Sequence, residues 1–101
     1  MTSPRITLPR ERIEEFCRRW RVKELSLFGS VLSDSFRTDS DVDVLVVFDE
    51  EAEWDAWDHL HAEEELSDLL GRQVDLVQKH AVKNPFRRQR ILQTREIIYA
   101  A

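Results

Sequence analysis

Apolar positions along the chain repeat with two different periods, and the switches between them predict the order of elements. Ile13, Phe16, Cys17 and Trp20 recur at i, i+3, i+4 and i+7, the spacing of one helical face, and Pro9 suits the first turn of that helix. Leu25 to Phe28 then reads as a strand that ends at Gly29-Ser30, after which Val31 and Leu32 open a short helix. Val42 to Phe48 is almost wholly β-branched or apolar, as a buried strand is. The acidic stretch Asp49 to Glu53 leads into a helix to about Leu70, closed by Gly71 where a left-handed cap is favoured. Val74 to Val77 forms a short third strand. Asn84-Pro85 reads as N-cap and first residue of a last helix, with Ile91, Leu92, Ile98 and Tyr99 facing inward.

The middle helix carries two apolar faces. Ala62, Leu66, Leu69 and Leu70 make one stripe, while Trp54, Trp57, Leu60 and His61 fall on another side. Two such faces need two neighbours: the sheet, and a partner protein or second copy of the chain, since aromatic residues concentrate at interface centres. The alternative is a helix that begins later, with both tryptophans folded back on the core.

Polar residues embedded in these apolar runs are the candidates for chemistry. Asp41 and Asp43 stand two apart where the second strand begins, so they share a face with Cα atoms about 6.6 Å apart. Carboxylates held roughly 5 Å apart repel by about 3 kcal/mol at an effective dielectric of 20, so one takes up a proton or a cation sits between them. Hard oxygen ligands without His or Cys beside them favour Mg²⁺ or Mn²⁺ over Zn²⁺. Read blandly, Asp41 caps a turn and Asp43 faces solvent. Strand, Gly29-Ser30, helix is an anion-binding order, with glycine admitting a ligand close to the backbone and Ser30 offering a hydroxyl. Ser30 as a simple N-cap is the competing explanation. Asp75, alone in an apolar strand, supplies a third carboxylate if that strand lies beside the second, as metal ligand or as general base; otherwise it is an exposed edge residue.

The spacing of Gly29, Ser30, Asp41, Asp43 and Asp75 resembles that of the minimal nucleotidyltransferases of the DNA polymerase β superfamily. LFGSV, RTDSDVDVLVVF, GRQVDLV and the terminal ILQTREIIYA all look like blocks of that family, covering roughly Ile13 to Tyr99. The resemblance implies an α/β (α+β) fold, a small mixed sheet flanked by helices, with two Mg²⁺ ions on Asp41, Asp43 and Asp75 and the ATP phosphates against Gly29 and Ser30. Members of this size resemble antitoxins of toxin-antitoxin pairs whose partner is a HEPN-type ribonuclease, and which move AMP from ATP to a tyrosine of that toxin. On this chain, Asp75 would then receive the tyrosine proton. Many relatives carry Arg-Gly two to four residues past Gly-Ser, where this chain has Ser33 and Asp34. Arg37, in the same loop, is the candidate replacement for binding the nucleotide, or else a solvated arginine. The missing charge keeps open an antitoxin that acts by binding alone. A transferase acting on a small molecule is a third reading, weakened because no second domain is expected to build its pocket.

Composition narrows the rest. At 101 residues the expectation is one domain, 1–101, burying about 65% of its unfolded surface, with residues 1–6 disordered. No apolar run approaches about 18 residues and no leader is visible, so no membrane association and a cytoplasmic location are expected. A net charge of −5 argues against direct, general nucleic-acid binding. Cys17 is the single cysteine and is expected to be a buried thiol. His59, His61 and His80 have no metal-binding spacing and read as scattered surface residues. Arg87, Arg88 and Arg90 on the last helix face a triphosphate, an RNA, an acidic toxin surface or plain solvent. The chain is open to a homo-oligomer or a hetero-oligomer with the toxin.

Overall fold

The structure, a computed structural model, describes residues 6–37 and 39–101. Helix α1 (Arg10–Arg19) leads to strand β1 (Val22–Phe28) and a 3-10 turn, Gly29–Leu32. Strand β2 (Val42–Phe48), helix α2 (Ala56–Leu70) and strand β3 (Val74–Gln78) follow, then helix α3 (Pro85–Thr94) and strand β4 (Glu96–Ala100). The four strands form one mixed sheet in the order β3-β2-β1-β4. β1 is antiparallel to both β2 and β4, whereas β2 and β3 are parallel, with α2 as the crossover that a parallel pair requires.

The pleat divides the strand residues between two layers. Leu25, Leu27, Val42, Val44, Val46, Val74 and Leu76 pack with Ile13, Phe16 and Cys17 of α1 and Ala62, Leu66 and Leu70 of α2 in the main core. Phe28 and Leu45, on the opposite face, meet Val82 and Ile91 in a smaller cluster beneath α3. Burial on both faces explains why β2 is apolar without a break from Val44 to Phe48. Cys17 is buried as expected, and burial pushes its thiol up to about 12. Residues 1–5, on which most of the expected disorder falls, lie outside the described residues, but Ile6 packs against the main core.

The helix ends follow local chemistry. Asn84 caps α3, its Oδ1 accepting from Phe86 N–H and Arg87 N–H at 3.0 Å each, with Pro85 at the first position. Gly71 closes α2 at φ 69° and ψ 22°. Pro9, expected inside the first turn of α1, occupies its N-cap position.

Four expectations need correction. α2 begins after Trp54, because Asp55 and Asp58 form a reciprocal capping box: Asp58 N–H donates to Asp55 Oδ1 at 2.8 Å, and Asp55 N–H to Asp58 Oδ2 at 3.0 Å. Trp54 consequently turns back onto the core, where its ring meets Trp20 edge-on at 5.3 Å and its Nε1–H donates to Trp20 O at 2.8 Å. Trp57 alone of the pair rides the helix and points out, 70% exposed. Ile98 and Tyr99 are not helical: α3 stops at Thr94, and they lie on β4, paired with β1. Ile91 and Ile98 are seven apart, which a helix and a helix-then-strand satisfy equally; the open edge of β1 decides between them.

His59 is the fourth correction. It is half-buried with Nε2 2.8 Å from Leu76 O, so Nε2 carries the proton and Nδ1 accepts from Gln78 Nε2 at 3.3 Å. Glu63 Oε2 accepts from Leu76 N–H at 2.8 Å and Ser67 Oγ from Val74 N–H at 3.0 Å. Side chains of α2 thus satisfy the outer edge of β3, which keeps it from pairing with another chain.

Candidate active site

The registers of β2 with its two neighbours assemble the predicted carboxylates. Asp43 stands directly opposite Asp75 on parallel β3 and opposite Phe28 on antiparallel β1. Directly paired residues project to the same side of a sheet, here the α3 side, from strands about 4.8 Å apart. Asp41 immediately precedes β2. Asp43 is half-buried, whereas Asp41 and Asp75 are exposed. Burial, then the Asp75 carboxylate, then that of Asp41 push the Asp43 carboxyl above its usual range, and the Arg87 guanidinium pulls it down. Asp43 therefore feels a near neighbour in sequence, Asp41, and a distant one, Asp75, across one surface.

Gly29 joins this surface to the turn after β1. Its φ is +76°, a conformation side chains rarely adopt, and a Cβ there would collide with Asp43 Oδ2. Only a glycine lets the turn lie against that carboxylate. Ser30 makes no side-chain cap of the 3-10 turn, so the N-cap explanation of this serine is not what the structure uses. Its carbonyl instead accepts from Ser33 N–H at 2.9 Å and Ser33 Oγ at 3.0 Å, which tightens the turn.

A cavity of about 720 Å³ opens beside this turn, between Gly29 and Ser30 on one side and Arg90, Gln93, Thr94 and Glu96 on the other. The volume suits a nucleotide-sized ligand. Arg37 does not line it; the arginine that does is Arg90 of α3. Arg37 belongs to the loop leading into Asp41, where its carbonyl accepts from Arg72 Nη2 at 2.6 Å. Arg72 also donates to Ser40 O at 3.1 Å and stacks on Phe36, 4.4 Å above the ring centre. It thereby pins the segment that delivers Asp41 and Asp43. Nothing in the sequence singled Arg72 out, because its role depends on β3 starting beside that loop. A second cavity, of about 470 Å³, lies at the far end of β2 near Phe48, Lys79 and His80 and contains none of Gly29, Ser30, Arg37, Asp41, Asp43 and Asp75.

Among the described residues, no three His, Cys, Asp or Glu side chains converge closely enough to form a closed metal cage. The strands supply an open acidic face instead, with Asp43 beside Asp75 and Asp41 at its approach. An all-oxygen face of this kind fits Mg²⁺, which keeps several waters and takes one or two carboxylates together with substrate phosphates. The room left by the absent Gly29 Cβ lies against the same Asp43 oxygen.

Parallel strands that gather aspartates beside a Gly-Ser turn are the arrangement of an enzyme that moves nucleotidyl groups, and residues 10–98 match the nucleotidyltransferase domain family. The chain belongs to that family and is a nucleotidyltransferase. Among its relatives is the protein adenylyltransferase MntA of Thermococcus cleftensis, 36% identical over 86 residues, 85% of this chain and 82% of that one. A provisionally named protein adenylyltransferase of Methanocaldococcus jannaschii is 43% identical over 68 residues, 67% of either protein. Of solved structures, a provisionally assigned minimal nucleotidyltransferase superposes with a TM-score of 0.70 at 33% identity, covering 86% of each chain. A toxin-antitoxin crystal structure with AMP-PNP gives a TM-score of 0.72 at 20% identity, covering 93% of this chain and 75% of that one. No helix among the described residues is long and apolar enough to cross a membrane.

Proposed function

We propose that the protein is an antitoxin that transfers AMP from ATP to a tyrosine of a HEPN-type ribonuclease toxin in a Mg²⁺-dependent reaction. The observation that carries this reading is the pairing of Asp43 with Asp75 against a turn that only Gly29 can make. The named activity of the Thermococcus relative supports the AMP donor and the protein acceptor. A structural neighbour at a TM-score of 0.64 and 19% identity, a tri-AMPylated Shewanella oneidensis HEPN toxin bound to its MNT antitoxin, is in keeping with the class of target.

The chemistry is an in-line displacement at the α-phosphorus. The tyrosine oxygen forms the new O–P bond, the bond from the α-phosphorus to the bridging oxygen breaks, and pyrophosphate leaves with that electron pair. Asp75, exposed at the rim of the acidic face, takes the phenolic proton. Asp41 and Asp43 are the carboxylates that would hold the metal, and Gly29 and Ser30 present backbone and hydroxyl to the triphosphate. Bound Mg²⁺ supplies neutralisation of charge developing on the α-phosphate and the leaving pyrophosphate.

One observation favours a second reading, inhibition by binding alone: Ser33 and Asp34 stand where many relatives carry a cation, and both are exposed. Incubation with toxin, Mg²⁺ and ATP labelled in the α-phosphate separates the two. Label on the toxin that disappears with Asp41→Ala and Asp43→Ala supports transfer. Full inhibition of the ribonuclease with no label on it sinks transfer in favour of steric cover.

A further inference from the structure

The arginines at the end of the chain divide into two sets by what their guanidinium groups do. Arg88 donates to Lys79 O at 2.9 Å, and Arg95 pairs with Glu24 at 2.9 Å in a half-buried contact that ties the end of α3 to β1. Both are spent on holding the fold together. Arg87 and Arg90, one helical turn apart on α3, are exposed, and among the described residues neither guanidinium has an ion-pair or hydrogen-bond partner. Among these residues, neither charge contributes a contact that holds the fold together. Their surroundings account for them: Arg87 lies within electrostatic reach of Asp43, and Arg90 lines the cavity that Gly29 and Ser30 open.

That cavity is otherwise poorly equipped for a polyanion. Its remaining polar wall is Ser30, Ser33, Ser35, Gln93, Thr94 and the carboxylate of Glu96, and Arg90 is its one cationic lining residue among those described. A ligand carrying four negative charges needs at least one fixed cation there to offset Glu96. The 3-10 turn is too short to provide this through a helix dipole, since the dipole depends on many aligned peptides. Thr94, one turn beyond Arg90, turns its hydroxyl back to Arg90 O at 2.7 Å and so does not compete for the guanidinium.

We propose that Arg90 is the triphosphate-binding cation of this enzyme, holding the outer phosphates of ATP across the cavity from Gly29–Ser30 and standing in for the cation missing at Ser33–Asp34. The assignment rests on the nucleotidyl-transfer reading above and moves the phosphate-binding charge from the loop after the turn to α3. A guanidinium in this position binds two phosphate oxygens at once, so lysine replaces it only in part.

Equilibrium binding tests this directly, by titrating the protein with non-hydrolysable ATP and, separately, with AMP in the presence of Mg²⁺. Arg90→Gln is expected to weaken ATP about tenfold or more, the loss of one charge-assisted contact. AMP affinity should stay within about twofold and Arg90→Lys should recover part of the loss. Because Arg90 is exposed and unpaired, the melting temperature of the unliganded variant should match the parent. ATP binding unchanged in Arg90→Gln overturns the assignment, as does an equal loss for ATP and AMP, or a loss that appears in Arg37→Gln instead. If the parent protein binds neither nucleotide, the transfer reading itself fails. Tight parent binding with an indifferent Arg90→Gln sinks only the role given to Arg90.

Discussion

Two glycines with nearly equal backbone angles allow the close contact at the turn to be separated from simple backbone strain. Gly29 has φ +76° and Gly71 φ +69°; a Cβ at Gly71 meets nothing within 4 Å, whereas one at Gly29 runs into Asp43 Oδ2. Replacing either with Ala imposes the left-handed penalty of about 1–2 kcal/mol. In a domain of about 100 residues that lowers the melting temperature by roughly 4–15 °C. Only Gly29→Ala must also displace the Asp43 carboxylate, the most buried of the three acids. A 1 Å misplacement in an active site can cost about a hundredfold in rate. The assay is transfer of α-labelled phosphate by each variant at a temperature where melting curves show both folded. The expected result is near-parent transfer by Gly71→Ala and a loss of about a hundredfold or more by Gly29→Ala. Equal activity in the two variants would refute the claim that this glycine exists to let the turn touch Asp43.

The tryptophans and the α2 cap give two further tests. Trp54→Ala removes the ring contact with Trp20 and the 2.8 Å bond to its carbonyl, and should cost about 2 kcal/mol in denaturant unfolding. Trp57→Ala, at a 70% exposed site, should stay within about 0.5 kcal/mol of the parent while weakening toxin binding in a pull-down titration. A stability loss in Trp57→Ala as large as that in Trp54→Ala would contradict this division. The Asp58 backbone N–H, bonded to the Asp55 carboxylate, holds the Asp55 carboxyl below its usual range. A depressed folded-state value means that the cap contributes fully above the unfolded value of about 3.9 and is lost as pH falls through the lower folded value. Melting curves taken from pH 6 to pH 2.5 should therefore fall less steeply on acidification in Asp55→Asn than in the parent. Identical pH slopes would rule out Asp55 as a contributor to acid unfolding.

What could be read from the sequence was whatever local chemistry decides. The period of Ile13, Phe16 and Cys17, the apolar run of β2, the Asn84-Pro85 start of α3 and the stop at Gly71 each depend on a few adjacent residues, and all appear in the structure. The carboxylate spacing was equally visible, since Asp41 and Asp43 are near neighbours and Asp75 was conspicuous in an apolar strand. Features set by pairing between distant segments were not visible. Ile98 and Tyr99 go to β4 because β1 leaves an edge open, and no local signal distinguishes that from a longer helix. Arg72 matters only because β3 begins beside the loop before Asp41.

The same distinction bears on where the positive charge of the site resides. Reading along the chain, a cation missing after Gly29-Ser30 is sought nearby, and Arg37 is the nearest candidate. In the folded chain, distance along the sequence has little bearing: β4 returns beside β1, and α3, which precedes it, is carried over the face holding Phe28, Leu45 and Asp43. Residue 90 thus lines the Gly-Ser cavity, and residue 37 does not. A nucleotidyl-transfer site needs a cation near the outer phosphates, but the chemistry is indifferent to which segment supplies it. If Arg90 holds the outer phosphates as proposed, α3 meets from the opposite side of the cavity a requirement that the loop after the turn leaves unmet. Loss of a motif residue is therefore weak evidence for loss of activity until the opposite wall has been inspected.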